Sequence, residues 1–259
     1  MQLLTPDLDR TFDWDGNTVR HGRFGDGPPV VLCHGTPFFE LVADNAEVLA
    51  RYAPSILDGV RVTVELSLAI VVVGIALGIA LACLRTLGSR WLNLPIVVFA
   101  DVLRALPPLV LILLAFFGLP NAGIVMSAPL VLFVTLALTL AAFTEEIVWA
   151  GITSVDRGQW EAARSTGLGF ARALFSVGLP QALRMTIPPL TNRAIAITKM
   201  TALGTVIGVP DILNQATTAQ SFSGNASPLM LAAIAYVALF LPLVVLSRWL
   251  ESRYAWRRV

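Results

Sequence analysis

Residues 66–84 read LSLAIVVVGIALGIALACL, a run without a single charged or strongly polar side chain apart from one serine. At 1.5 Å per residue, a helix over this run is long enough to cross about 30 Å of hydrocarbon. The whole chain agrees with that reading. Of its 259 residues 56% are apolar and only 14% charged, and mean hydropathy is +0.75. A soluble domain needs a polar skin and carries about a quarter charged residues, so this chain is solvated mostly by lipid. A net charge of +1 offers no basic surface for nucleic acid. Cys33 and Cys83 have no partner spacing that suggests a metal site or a disulfide framework. Within the run, Gly74 and Gly78 stand four apart and Ala82 follows four later. This smooth ridge predicts close contact with a neighbouring helix of the same bundle.

Working outward, the apolar residues Leu41, Val48, Leu49, Tyr52 and Ile56 predict an amphipathic helix over residues 39–59, lying at the membrane surface before the first span. Downstream, a second span over residues 92–119 is interrupted by Asp101, Arg104 and the pair Pro107 and Pro108. Such a break predicts a surface helix running into a kinked crossing. Residues 124–143 make a third span, residues 187–209 a fourth that carries Arg193 and Lys199, and residues 229–246 a fifth. The expected fold is an all-α integral membrane protein with about five transmembrane helices over residues 60–259.

Arginines orient the spans. Arg85 and Arg90 follow the first, Arg157, Arg164, Arg172 and Arg184 follow the third, and Arg248, Arg253, Arg257 and Arg258 follow the fifth. The connections at residues 118–128 and 209–227 hold no Lys or Arg. The positive-inside rule then puts the N-terminus outside, and the C-terminus and the loop over residues 149–184 in the cytoplasm.

The first 38 residues are of another kind. FDWDGNTVRHGRFGDGPP, residues 12–29, reads as two short strands with Asp-Gly and Gly-Asp-Gly turns, and VVLCHGTPF, residues 30–38, as a buried strand ending in His-Gly-x-Pro. The stretch resembles the opening strands of an α/β-hydrolase. That fold needs a nucleophile on a strand-to-helix elbow followed by an acid and a His. No such elbow follows, and His21 and His34 both lie upstream, so no hydrolysis is expected. Residues 1–38 read as a short β-type or disordered arm that does not fold alone, either a fusion remnant or the product of a misplaced start.

The loop over residues 149–184 is too polar for the membrane and too regular for a linker. Asp156 with Gln159 fits a capping box, residues 159–166 are good helix formers, and Gly167 supplies a left-handed stop. A second short helix over residues 170–177 is expected to end at Gly178 and Pro180. Together they predict a rigid knob, with Ala162 and Ala163 as a small-residue contact face flanked by Glu161 and Arg164.

The string EAARSTG, residues 161–167, then nine residues, then VGLP, residues 177–180, resembles the EAA motif of ABC importer permeases, with Val177 in place of the usual Ile. SVDRGQWEAA, LPQALRMTIPPLTNRAIAITKMTAL and VIGVPDIL are similar to the permeases for polar amino acids. The resemblance spans residues 39–253. It implies a membrane subunit of a type I importer that moves a polar amino acid inward across a bacterial cytoplasmic membrane. Glu161, Ala162, Ala163 and Gly167 would then contact a cytoplasmic ATPase, while the substrate-binding residues stay unassigned. The implied partners are an ATP-binding cassette ATPase dimer, a second permease subunit, identical or different, an extracytoplasmic amino-acid-binding protein, and membrane lipid. ATP and Mg would be bound by the ATPases. The chain has no Gly-x-x-x-x-Gly-Lys-[Ser/Thr] loop of its own.

Two positions depart from the family. Arg is common near Trp149, after the carboxylate that ends the third span, and Ser where Ala202 stands. Without that Arg, Glu145 and Glu146 at the end of the third span are expected to be solvated interfacial carboxylates. Arg193 and Lys199 read equally well as functional intramembrane cations and as snorkelling side chains. An ion-coupled carrier is the rival class; it calls for inverted repeats or several mid-span acids. An inactive hybrid of hydrolase fragment and permease is the other.

Overall fold

The computed structural model describes residues 10–14, 17–21 and 46–254, in two units that divide after Asp44. In the first unit, strands β1 (Arg10–Trp14) and β2 (Asn17–His21) pair antiparallel, from Arg10 opposite His21 to Trp14 opposite Asn17. Asp15-Gly16, which separates them in sequence, is a dipeptide favoured in two-residue hairpins. The third expected strand, with His34, lies outside the described residues.

The second unit is helical throughout its described residues. Helix α1 (Ala46–Arg85) runs for 40 residues without a break, Pro54 included. The described part of the expected surface helix is therefore continuous with the first span. Packing explains why Pro54 does not end it. Just beyond, Ile56 is buried against Ile212 and Ala216, and Gly59 approaches the backbone of Asp211 so closely that a Cβ there would lie 2.8 Å from its carbonyl oxygen. These tertiary contacts just beyond the proline outweigh the single ladder hydrogen bond it removes.

Helix α2 (Arg90–Ala105) meets α3 (Pro108–Leu113) at a bend of 105°. Leu106 and Pro107 are extended there, because Pro107 and Pro108 cannot donate to a helical ladder and hold their predecessors out of the α region. Helix α3 widens into a π turn (Leu114–Gly118) and closes in a 3-10 turn (Leu119–Ala122).

Helix α4 (Ala128–Ser154) is the centre of the bundle, with Leu132, Leu136 and Leu140 fully buried. The glycine ridge of α1 packs along it. A Cβ on Gly74 would lie 2.8 Å from that of Leu140, and one on Gly78 would lie 2.6 Å from the carbonyl oxygen of Ala141. The ridge is thus consumed inside the bundle, as expected.

Helix α5 (Arg157–Ser165) is followed by α6 (Phe170–Ala173), a π turn (Leu174–Gly178) and α7 (Leu179–Lys199), which tightens into a 3-10 segment (Met200–Ile207). After a 40° bend come α8 (Ile212–Ser223) and α9 (Ser227–Tyr254). The expected end of the knob's second helix at Gly178 and Pro180 does not occur. The wider π turn absorbs the amide that Pro180 lacks, so the chain stays helical into the fourth span. Three helices are long and apolar enough to cross a membrane unaided, and the total is five where each of the two bent pairs counts as one span.

Candidate functional site

The loop foreseen over residues 149–184 is shorter in space, because α4 continues to Ser154 and the chain is helical again from Phe170. What projects is a knob centred on α5. Asp156 caps α5, its Oδ1 accepting from the Gly158 amide at 2.7 Å. The reciprocal half of a capping box is not formed: the Gln159 side chain instead accepts from the Gln181 amide at 3.4 Å, tying the knob to α7. At the other end, Gly167 takes φ +84° and its amide donates to the Arg164 carbonyl at 2.9 Å, the left-handed stop expected there.

Trp160 holds the knob shut. Its ring stacks on Phe170 with centroids 6.3 Å apart. Its edge lies so close to Gly178 that a Cβ there would sit 2.5 Å from Cζ2. The only sequence signal for this residue is its place in GQWEAA, because periodicity does not connect Trp160 to a glycine eighteen positions away. The expected contact face splits in two. Glu161, Ala162, Arg164 and Gly167 are exposed, whereas Ala163 is only 7% exposed and turned inward. Successive helical residues differ by about 100°, so Ala162 and Ala163 point to different sides of α5.

Along α4 lies a charged girdle, which corrects the reading of Glu145 and Glu146. Glu145 is fully buried, and Arg85 at the end of α1 donates to its Oε1 at 2.9 Å. The same guanidinium lies over the Trp149 ring, 4.5 Å from its centroid. The cation that the family carries near position 149 arrives here from another helix, with Trp149 as its seat. Glu146, half exposed, pairs with Arg104 of α2 at 3.1 Å, and Arg104 also holds Asp101 at 2.6 Å. Two consecutive acids therefore tie α4 to two different helices. The second oxygen of Glu145 and the Thr144 hydroxyl have no hydrogen-bond partner among the described residues.

The two intramembrane cations of α7 are placed apart. Arg193 lies over the Phe143 ring, 3.8 Å from its centroid. Lys199 is exposed beside Phe240 of α9, its ammonium 5.8 Å from that ring. Neither has an acid within ion-pair distance among the described residues. No cluster of metal-ligating side chains occurs among the described residues.

Comparison with known proteins locates this architecture. Residues 74–256 match the family described as binding-protein-dependent transport system inner membrane component. The chain is 34% identical over 200 residues to the probable glutamine ABC transporter permease protein GlnP of Bacillus subtilis (strain 168), covering 76% of this chain and 92% of that protein. It is 32% identical to the arginine transport system permease protein ArtQ of the same organism, covering 77% and 92%. Among solved structures, a crystal structure of an amino acid ABC transporter with histidines superposes with a TM-score of 0.73 at 31% identity, over 85% of this chain and 100% of that one. An inward-facing MetNI methionine ABC transporter shares the fold at 18% identity, with a TM-score of 0.59. The hydrolase likeness of residues 12–38 gains no support from these matches. With its bent helix pairs, its projecting knob and these relatives together, the chain belongs to the binding-protein-dependent transport system inner membrane components, among the permease subunits of amino-acid ABC transporters.

Proposed function

We propose that this chain carries a polar amino acid inward across a bacterial cytoplasmic membrane, powered by ATPase subunits that bind the ATP it does not bind itself. The observation that carries the reading is the knob. It is capped at Asp156, stopped at Gly167, clamped by Trp160 and continuous through α6 and α7 with a crossing helix. A floppy loop would absorb an ATPase movement, whereas a braced one passes it on. Glu161, Ala162 and Gly167, with Arg164 beside them, form the outer face offered to the ATPase, and Ala163 acts from beneath by seating α5. The relatives that transport glutamine and arginine by name support a polar amino acid as cargo. The distribution of arginines supports an outside N-terminus and a cytoplasmic C-terminus and knob. A second permease, identical or different, and a binding protein complete the assembly.

The test is uptake of a panel of labelled amino acids by cells that express this chain with its ATPase and binding protein, using the full chain and a version starting at Phe39. ATP-dependent uptake of a polar amino acid by both is expected, with the arm a passenger. Absence of uptake by either would overturn the proposal.

A further inference from the structure

Between α7 and α9 opens a cavity of about 280 Å³ whose polar lining is Asn192, Lys199, Ser247, Arg248 and Glu251. Its walls are braced. The Asn192 amide donates to Glu251 at 2.6 Å, and the Ser247 hydroxyl donates to the Asn192 carbonyl oxygen at 2.7 Å. Past Lys199 and Val244 it opens into an apolar cleft beside Val237 and Leu241. The Lys199 ammonium lies 5.8 Å from the centre of the Phe240 ring. The cavity carries two cations, Lys199 and Arg248, neither in an ion pair among the described residues, and one carboxylate, Glu251.

Lys199 stands within a crossing helix, where an uncompensated cation is costly and calls for a counter-charge, and Arg248 lines the same cavity. From this charge set we infer that the cavity is a binding site for a dicarboxylic amino acid, its two carboxylates on Lys199 and Arg248 and its ammonium on Glu251. A neutral polar amino acid brings one carboxylate and would leave one of the two cations unmatched. A basic amino acid would bring a second cation to a site with one acid. The other source of counter-charge is an acid of the second permease subunit, and the experiment separates the two.

The inference rests on the proposed function and narrows its cargo. The test is equilibrium binding of labelled glutamate, aspartate, glutamine, arginine and glutarate to the purified permease–ATPase complex, together with uptake of the same amino acids in cells. Glutamate and aspartate are expected to bind at least about tenfold more tightly than glutamine or arginine, the scale of one charged hydrogen bond. Lys199→Met is expected to remove most of that preference with unchanged membrane yield. Glu251→Gln is expected to weaken glutamate binding but not that of glutarate, which lacks the ammonium. The inference is overturned if glutamine or arginine binds as well as glutamate, or if Lys199→Met leaves glutamate binding intact, including the case where it instead breaks the permease pair. Uptake confined to neutral or basic amino acids would overturn it while leaving the proposed function standing. Uptake of no amino acid by the unmodified complex would remove both.

Discussion

Replacing Arg85 with Met should cost far more than replacing its partner, and the structure says why. Glu145 is fully buried, Arg85 is its sole hydrogen-bond partner among the described residues, and its second oxygen already has none. Arg85→Met leaves a carboxylate in the protein interior with no compensation, which typically costs about 3–5 kcal/mol. At about 2–4 °C per kcal/mol for a chain of this size, the apparent melting temperature should fall by roughly 6–20 °C. Glu145→Gln leaves the guanidinium 17% exposed and still lying over Trp149. It can recruit water there, so the cost should be about 1–2 kcal/mol. The double substitution Arg85→Met with Glu145→Met removes both desolvated charges and fills the space with apolar groups, and should return close to the original stability. The assay is thermal unfolding of the purified chain in detergent, followed by the loss of the monodisperse peak in size-exclusion chromatography. Equal losses for the two single variants, or a double variant as unstable as Arg85→Met, would show that the pair is not held in a dry interior.

Three further outcomes are expected. Gly78→Ala should abolish stable accumulation in the membrane, because its Cβ would lie 2.6 Å from the Ala141 carbonyl oxygen and α1 cannot back away without leaving α4; a membrane-fraction blot checks it, and normal accumulation would contradict the packing. Gly167→Ala meets nothing within 4 Å but must hold φ +84°, at a cost of about 1 kcal/mol. It should accumulate normally yet lower ATP-dependent uptake by distorting the end of α5, and unchanged uptake would show that the stop does not matter. Trp160→Ala should leave the crossings intact but loosen the knob, which limited proteolysis would register as new cleavage between Asp156 and Gly178; a pattern identical to the parent chain would rule out the clamp.

Apolar runs are enough to place the candidate crossings, because lipid leaves a spanning segment almost no freedom in composition. The knob is readable for a similar reason: Asp156 and Gly167 are local signals that act within a few residues. What the sequence hides is lateral. The cation opposite Glu145 comes from sixty positions upstream, and nothing in the spacing of Arg85 points to α4. The inward turn of Ala163 depends on which side of α5 meets the π turn, a tertiary fact. The helical run through Gly178 and Pro180 looks like a stop when read locally and is overruled by the Trp160 contact and the π turn.

The seam between α1 and α4 has one more consequence, for how the chain threads the membrane. Gly74 meets Leu140, Gly78 meets Thr144, and Arg85 meets Glu145 and Trp149, so residue numbers rise together along the two helices. The pair runs parallel, and both helices start on the same face of the bilayer. A chain that leaves α1 on one side and enters α4 from the other has to return in between. The sharply bent segment from Arg90 to Ala122 therefore carries the chain from the end of the bundle where α1 finishes back to the end where α4 starts. The contacts of Gly151 with Ala182 and Thr186, and of Phe143 with Arg193, fall as numbers rise, and so do those of Asn192 with Ser247 and Glu251 and of Lys199 with Phe240. Direction thus alternates from α4 to α7 to α9. The helical ends at Ala46 and Tyr254 consequently lie at opposite ends of the bundle, a parity set by side-chain contacts and independent of any count of arginines.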